Sequence, residues 1–276
     1  MNPDRSGLAV DTFLGRLAHE PAVLVRVSHT EGSVPREAGT WMAVFGRDAV
    51  GTIGGGHVEF QAMVQARAVL DGAATSPGQA VRYALGPALG QCCGGVMHLT
   101  FARVTASDRS ALGNELFRDL TPVALFGGGH VGHALARVLA PLPFQLSWID
   151  SRDGVFPEAV PLRIACEHSD PVQAAVPGLA PQSRVLIMSF SHAEDLNVVI
   201  ACLQRQRDRG DLPFIGLIGS RTKWATFRSR LAARGFSSAE IAHVTCPIGV
   251  PGVVGKEPEV IAVAVAAQLL QSVNAG

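Results

Sequence analysis

The chain has 276 residues, which at roughly 150 residues per domain suits one large domain or two ordinary ones, and two is the working reading. Hydrophobic residues make up 47% and charged residues 17%, against about 25% charged in an average globular domain, which excludes wholesale disorder and suits extensive internal or subunit burial. Lys and Arg total 23, as do Asp and Glu, so there is no basic excess of the kind that binds nucleic acid by displacing counterions.

Val10, Phe13, Leu14 and Leu17 fit the stripe of one helix face, and Val23 to Val27 and Trp41 to Phe45 read as strands. Between these strands, the loop from Thr30 to Thr40 carries Gly32, Ser33, Pro35, Arg36 and Gly39. The fork of Arg36 suits a phosphate or carboxylate, or is a solvated surface arginine. The run Gly54-Gly55-Gly56 introduces a helix over Val58 to Leu70 and offers an anion site at its start, with His57 and Glu59 in the opening turn. Glu59 there either stabilises the helix dipole or acts as a ligand.

A strand-like stretch from Ala80 to Leu85 and a strand from Val96 to Val104 enclose Gly90-Gln91-Cys92-Cys93-Gly94-Gly95. Adjacent residues of a strand point to opposite faces, so only a turn aims both sulfurs at one object, and the flanking glycines permit such a turn. Thiolates are soft ligands, which suits a metal-bearing cofactor or a persulfide better than a zinc site, since no second Cys pair stands at zinc-finger spacing. The polar stretch from Thr105 to Thr121 marks the boundary. A smaller N-terminal α/β domain is therefore expected over residues 1–109, a linker over 110–120 and a second domain over 121–276.

Beyond the boundary the pattern repeats as strand, glycine turn, helix and strand. Strands are expected at Val123 to Phe126, Phe144 to Ile149, Arg184 to Met188 and Pro213 to Ile218, with helices at Val131 to Leu139, Ala193 to Arg207, Thr222 to Arg234 and Glu257 to Leu270. Such alternation implies a parallel sheet covered on both faces, a Rossmann-like domain. Gly127, Gly129 and Gly132 occupy the three positions of a dinucleotide-type glycine turn, and Asp150 follows at about 20 residues, where an acid usually meets a ribose or similar diol. His130 beside the glycines caps or touches a ligand, or simply faces solvent. Arg221 and Lys223 stand in the first turn of a helix, the wrong end for cations, which calls for an anionic ligand or an acidic neighbour.

The longest apolar run, Val260 to Ala267, is far short of the roughly 20 residues that span a bilayer, and the first residues lack a signal-peptide pattern. No membrane association is expected, and a cytoplasmic location is. The five cysteines, Cys92, Cys93, Cys166, Cys202 and Cys246, are odd in number and scattered, unlike a disulfide framework.

Taken in order, EGSVPREAG, GTIGGGHVE, QCCGG, FGGGHVGHAL with Asp150-Ser151-Arg152, GLIGSRTKW and CPIG followed by KEPEVIAVAVAAQLL resemble the XdhC family, the xanthine dehydrogenase accessory proteins. The resemblance runs over nearly the whole chain and implies a non-catalytic role. That role is to bind the molybdenum cofactor in its molybdopterin form, protect it during sulfuration by a cysteine desulfurase, and insert it into apo-xanthine dehydrogenase. It also implies a homodimer. On this reading Cys92 and Cys93 contact the cofactor through its molybdenum, Gly127, Gly129, His130, Gly132 and Asp150 line the Rossmann site, and Arg36, Gly55 and Gly56 are further cofactor contacts. The glycine turn and Asp150 also admit an NAD(P)-dependent oxidoreductase. Against it, no recognisable proton donor follows the glycines, and the only tyrosine, Tyr83, precedes them. A sulfur-relay enzyme with a cysteine persulfide is a third reading.

Overall fold

The computed structural model describes residues 7–72, 79–85, 94–118 and 120–274. It divides into two compact units, Met1–Asp119 and Leu120–Gly276.

The first unit comprises α1 (Gly7–Leu17), β1 (Ala22–Glu31), β2 (Trp41–Val44), β3 (Ala49–Gly51), α2 (Gly56–Leu70), β4 (Val81–Ala84), β5 (Val96–Val104) and α3 (Arg109–Phe117). The strands form one antiparallel sheet in the order β3-β2-β1-β5-β4. Strand alternation sends Val23, Val25, Met42 and Val44 to one face, where Val58, Ala62 and Ala66 of α2 cover them. Ala22, Leu24, Trp41 and Ala43 go to the other face, under Phe13, Leu14 and Leu17 of α1. Both faces are buried, which is why these strands read as continuous apolar runs.

The expected linker over 110–120 is largely helix. Leu112 of α3 is buried in the α1 layer, and Arg109 Nε donates to Leu14 O at 2.9 Å. The segment is polar because most of the helix faces solvent, and Arg26 pairs with Glu115 there.

The second unit comprises β6 (Thr121–Phe126), α4 (His130–Leu139), β7 (Phe144–Asp150), β8 (Ile164–His168), β9 (Arg184–Ile187), α5 (His192–Arg209), β10 (Phe214–Leu217), α6 (Arg221–Ala232), α7 (Ser238–Ala242), β11 (Val244–Thr245) and α8 (Pro258–Asn274). All strand pairs are parallel, in the order β8-β7-β6-β9-β10-β11. This is the 3-2-1-4-5-6 order of a Rossmann fold, whose ligand crevice lies beyond the carboxyl ends of the strands where the order reverses, between β6 and β9. Helices α4 and α8 cover one face of the sheet, while α5 and α6 cover the other. Ser191 caps α5 and Ser220 caps α6, each hydroxyl accepting from the amide three residues on.

Candidate functional site

Between β6 and α4 the chain makes a glycine turn in which most glycines are demanded by the protein itself. Gly127 has φ +126°, and a Cβ there would lie 2.1 Å from Met188 O. A Cβ on Gly132 would lie 2.0 Å from Gly127 O, and one on Gly128 would lie 2.7 Å from Val155 Cγ2. Gly127 N donates to Ile149 O at 2.8 Å, while its carbonyl accepts from Trp148 Nε1 at 3.0 Å. Gly129 is different. It is exposed at the N-cap of α4, no side chain caps the helix there, and a Cβ would meet nothing within 4 Å. Packing leaves that position open, so it is where a ligand can come closest to the backbone and to the orphan amides that begin any helix. His130, the first residue of α4, is exposed.

Asp150 ends β7 with company other than the expected diol. Its carboxylate is 1% exposed. Oδ1 accepts from Arg152 N at 2.8 Å and Arg152 Nε at 2.9 Å, and Oδ2 accepts from Gly128 N at 2.5 Å and Arg152 Nη2 at 2.9 Å. Burial pushes the Asp150 carboxyl up, but the Arg152 fork and the two amides outweigh it and hold the group below the ordinary carboxylate range. The guanidinium of Arg152 in turn lies over the exposed ring of Phe190, 4.6 Å from its centroid. Asp150 thus ties the glycine turn to the end of the neighbouring strand.

On the far side of the switch point, the cation that the sequence places at the start of α6 finds its acid. Lys223 Nζ donates to Asp195 Oδ2 at 2.5 Å and to Ile218 O at 2.9 Å. Ser189 N donates to the other oxygen of Asp195 at 2.7 Å. Cys246 is half-buried close by, its thiol pushed up to about 11 by burial. Arg152, Phe190 and Asp195 did not stand out as site residues from sequence. The pattern Ser191 to Glu194 marks a helix start, and so the turn that holds Asp195, whereas Phe190 carries no such signal.

In the first unit the structure sets Pro35 and Arg36 against Gly54, the residue before Gly55 and Gly56. A Cβ on Gly54, which has φ +122°, would lie 2.8 Å from Pro35 and 3.3 Å from Arg36 Cγ, so the loop after β1 rests on the glycine turn before α2. Glu59 closes that turn from inside. Its Oε2 accepts from Thr52 Oγ1 at 2.5 Å and from the amides of Ile53 and Gly55 at 3.0 Å each. A Cβ on Gly55 would meet nothing within 4 Å. Cys92 and Cys93 lie outside the described residues. Next to them in sequence, Gly95 donates to Ser33 O at 3.0 Å and accepts from Leu85 N at 2.8 Å. Among the described residues, no group of three or more His, Cys, Asp or Glu side chains is placed to hold a metal ion, and no helix is long and apolar enough to cross a membrane.

Comparison with known proteins places both units. The model of the XdhC Rossmann domain matches residues 123–269, and that of the XdhC and CoxI family matches residues 16–84. The chain is 26% identical over 259 residues to the uncharacterized protein YqeB of Escherichia coli K12. That match covers 92% of this chain and 44% of YqeB, so the chain spans less than half the length of that relative. A crystal structure described as a xanthine dehydrogenase (BH1974) from Bacillus halodurans superposes with a TM-score of 0.68 at 18% identity, covering 96% of each chain. That likeness is one of fold.

Proposed function

The chain belongs to the XdhC family, and from that premise we propose that it is an accessory chaperone for xanthine dehydrogenase rather than an enzyme. It binds the molybdenum cofactor as cargo, shields it while a cysteine desulfurase supplies sulfur to its metal centre, and passes it to the apo-enzyme in the cytoplasm. A homodimer is the working assembly.

The observation that carries this reading is Gly129, the one glycine of the turn that packing leaves free, at the switch point of a 3-2-1-4-5-6 sheet. Molybdopterin ends in a phosphate, and an open glycine at a helix start fits such a group. Gly127 and Gly132 hold the turn in shape, His130 stands at its rim, and Asp150 fixes it from below. In the first unit, Arg36, whose stem lies against Gly54, offers a guanidinium fork, and Gly55 and Gly56 offer a second glycine-led helix start. Cys92 and Cys93 are the soft ligands proposed to face the molybdenum. The metal's redox chemistry belongs to the client enzyme; this chain's residues bind, orient and cover. An oxidoreductase that holds NAD by its ribose diol gains no support from the site, because the acid that would meet the diol is already hydrogen-bonded on all sides.

The test is anaerobic purification from a host that makes the cofactor, with metal analysis, fluorescence of the oxidised pterin and a parallel assay for bound NAD(P). Molybdenum and pterin should appear together and fall in Cys92→Ala, Cys93→Ala and Gly129→Ala. Full retention in all three variants, or bound nicotinamide without pterin, would refute the proposal.

A further inference from the structure

We infer that Arg152 determines which ligands the crevice of the second unit accepts: it bars a free ribose-type diol from Asp150, so that a ligand there is recognised through phosphate instead. In a Rossmann crevice the acid at the end of the second strand receives the diol of a nucleotide ribose. A carboxylate has about four acceptor positions. At Asp150 the protein fills them, two donors on each oxygen, three of the four from Arg152. A diol would have to expel a bidentate guanidinium from a carboxylate that is 1% exposed, and charge-assisted pairs of that geometry are the strong ones.

The arginine is not free to swing aside. Its guanidinium is held by two bonds to Asp150 on one side and lies over the Phe190 ring on the other. Glu194 lies near enough to favour its charge further, while the two oxygens of Glu194 are taken by Ser151 Oγ and Phe190 N. Two of the five guanidinium N–H groups point at Asp150. The side chain is still 34% exposed, which leaves the remaining donors on the rim where a phosphate ester can meet them. This inference concerns the selectivity of the crevice and does not depend on the molybdenum-cofactor reading.

The probes are NADH, whose adenosine ribose carries a free diol, and NADPH, whose corresponding position is phosphorylated. Titration of the full chain, followed by nicotinamide fluorescence, should show NADH binding at least about tenfold tighter to Arg152→Ala than to the unaltered protein, with no such gain for NADPH. Arg152→Gln, which keeps the aliphatic stem but not the guanidinium that pairs with Asp150 and lies over Phe190, should show the same change if the alanine variant folds poorly. In Arg152→Ala/Asp150→Asn the gain should be lost or greatly reduced, because the amide keeps one acceptor oxygen, which Gly128 N can engage, and its NH2 group cannot accept from the diol. Unaltered protein that binds NADH as tightly as the variants, a gain that survives loss of Asp150 undiminished, or no NADH binding to any of these proteins overturns the inference. Molybdenum and pterin content, measured on the same variants, reports separately on the proposed chaperone role.

Discussion

Replacing Lys223 by Met removes the cation from a buried pair and leaves the acid behind. In the native protein the two side chains are 10% and 2% exposed, and the Nζ to Oδ2 distance is 2.5 Å. After the change, the Asp195 carboxylate keeps the hydrogen bond from the Ser189 amide but loses its cation, and it stays buried. Breaking a buried pair in this way costs about 3–5 kcal/mol. Removing a cation from the start of α6 returns about 0.3–1 kcal/mol through the helix dipole, so the net loss remains near 3 kcal/mol. In a unit of this size each kcal/mol moves the midpoint by about 2–4 °C, which sets the expected fall at about 6–12 °C. Differential scanning calorimetry of the full chain measures it. Lys223→Met/Asp195→Asn, with no charge left unpaired, should recover at least half of the loss. A single variant that melts within 2 °C of the parent, or a double variant as unstable as the single one, would show that the pair does not bear on stability as argued.

The glycine turn gives a paired prediction: Gly132→Ala forces a Cβ to 2.0 Å from Gly127 O and should lose about 1–3 kcal/mol in urea unfolding, whereas Gly129→Ala should stay within about 1 kcal/mol of the parent. Because Asp150 is held below the ordinary carboxylate range, its contribution is complete above its unfolded value near pH 4 and is lost as the pH falls through the lower folded value. Acid unfolding should therefore steepen below about pH 4, and Asp150→Asn should flatten that limb. In a Cys92→Ser/Cys93→Ser background, a thiol reagent at pH 8 should modify exposed Cys166 first. Half-buried Cys246, at about 11, should follow slowly, and fully buried Cys202, pushed up to about 12, should react only on unfolding. Rapid labelling of Cys202 in native protein would contradict that order.

The elements that sequence revealed are those whose pattern is strong and local. The β6–α4–β7 run announces itself by a strand, a glycine turn and a helix, and β5 was read at its full length, Val96–Val104. Those it missed have weak patterns for physical reasons. β8 is an edge strand with only Ile164 buried, β3 spans three residues and β11 two. The short α7 does carry a sequence signal, the capping box of Ser237 and Glu240. The segment taken as a linker is α3, because solvent-facing helix and linker share a polar composition. At the site, sequence flagged Lys223 as a cation needing an anionic ligand or an acidic neighbour; that the partner is an acid, Asp195 at the start of a different helix, came from the structure. Asp150 was correctly placed at the end of a strand; that Arg152, two residues on, would fill it is a matter of side-chain direction that spacing does not encode.

The glycine turn is fixed by contacts to the end of β7 and to the residue that follows β9. Gly127 donates to Ile149, accepts from Trp148 and sits against Met188, while Gly128 is held by Asp150. Ordering a backbone residue costs about 1–2 kcal/mol, and for these residues that cost is met when the protein folds. A ligand arriving at Gly129 therefore meets a preorganised surface and forfeits no affinity to loop closure. The amides of Gly127 and Gly128 should accordingly resist hydrogen exchange in the free protein, and ligand should protect them little further.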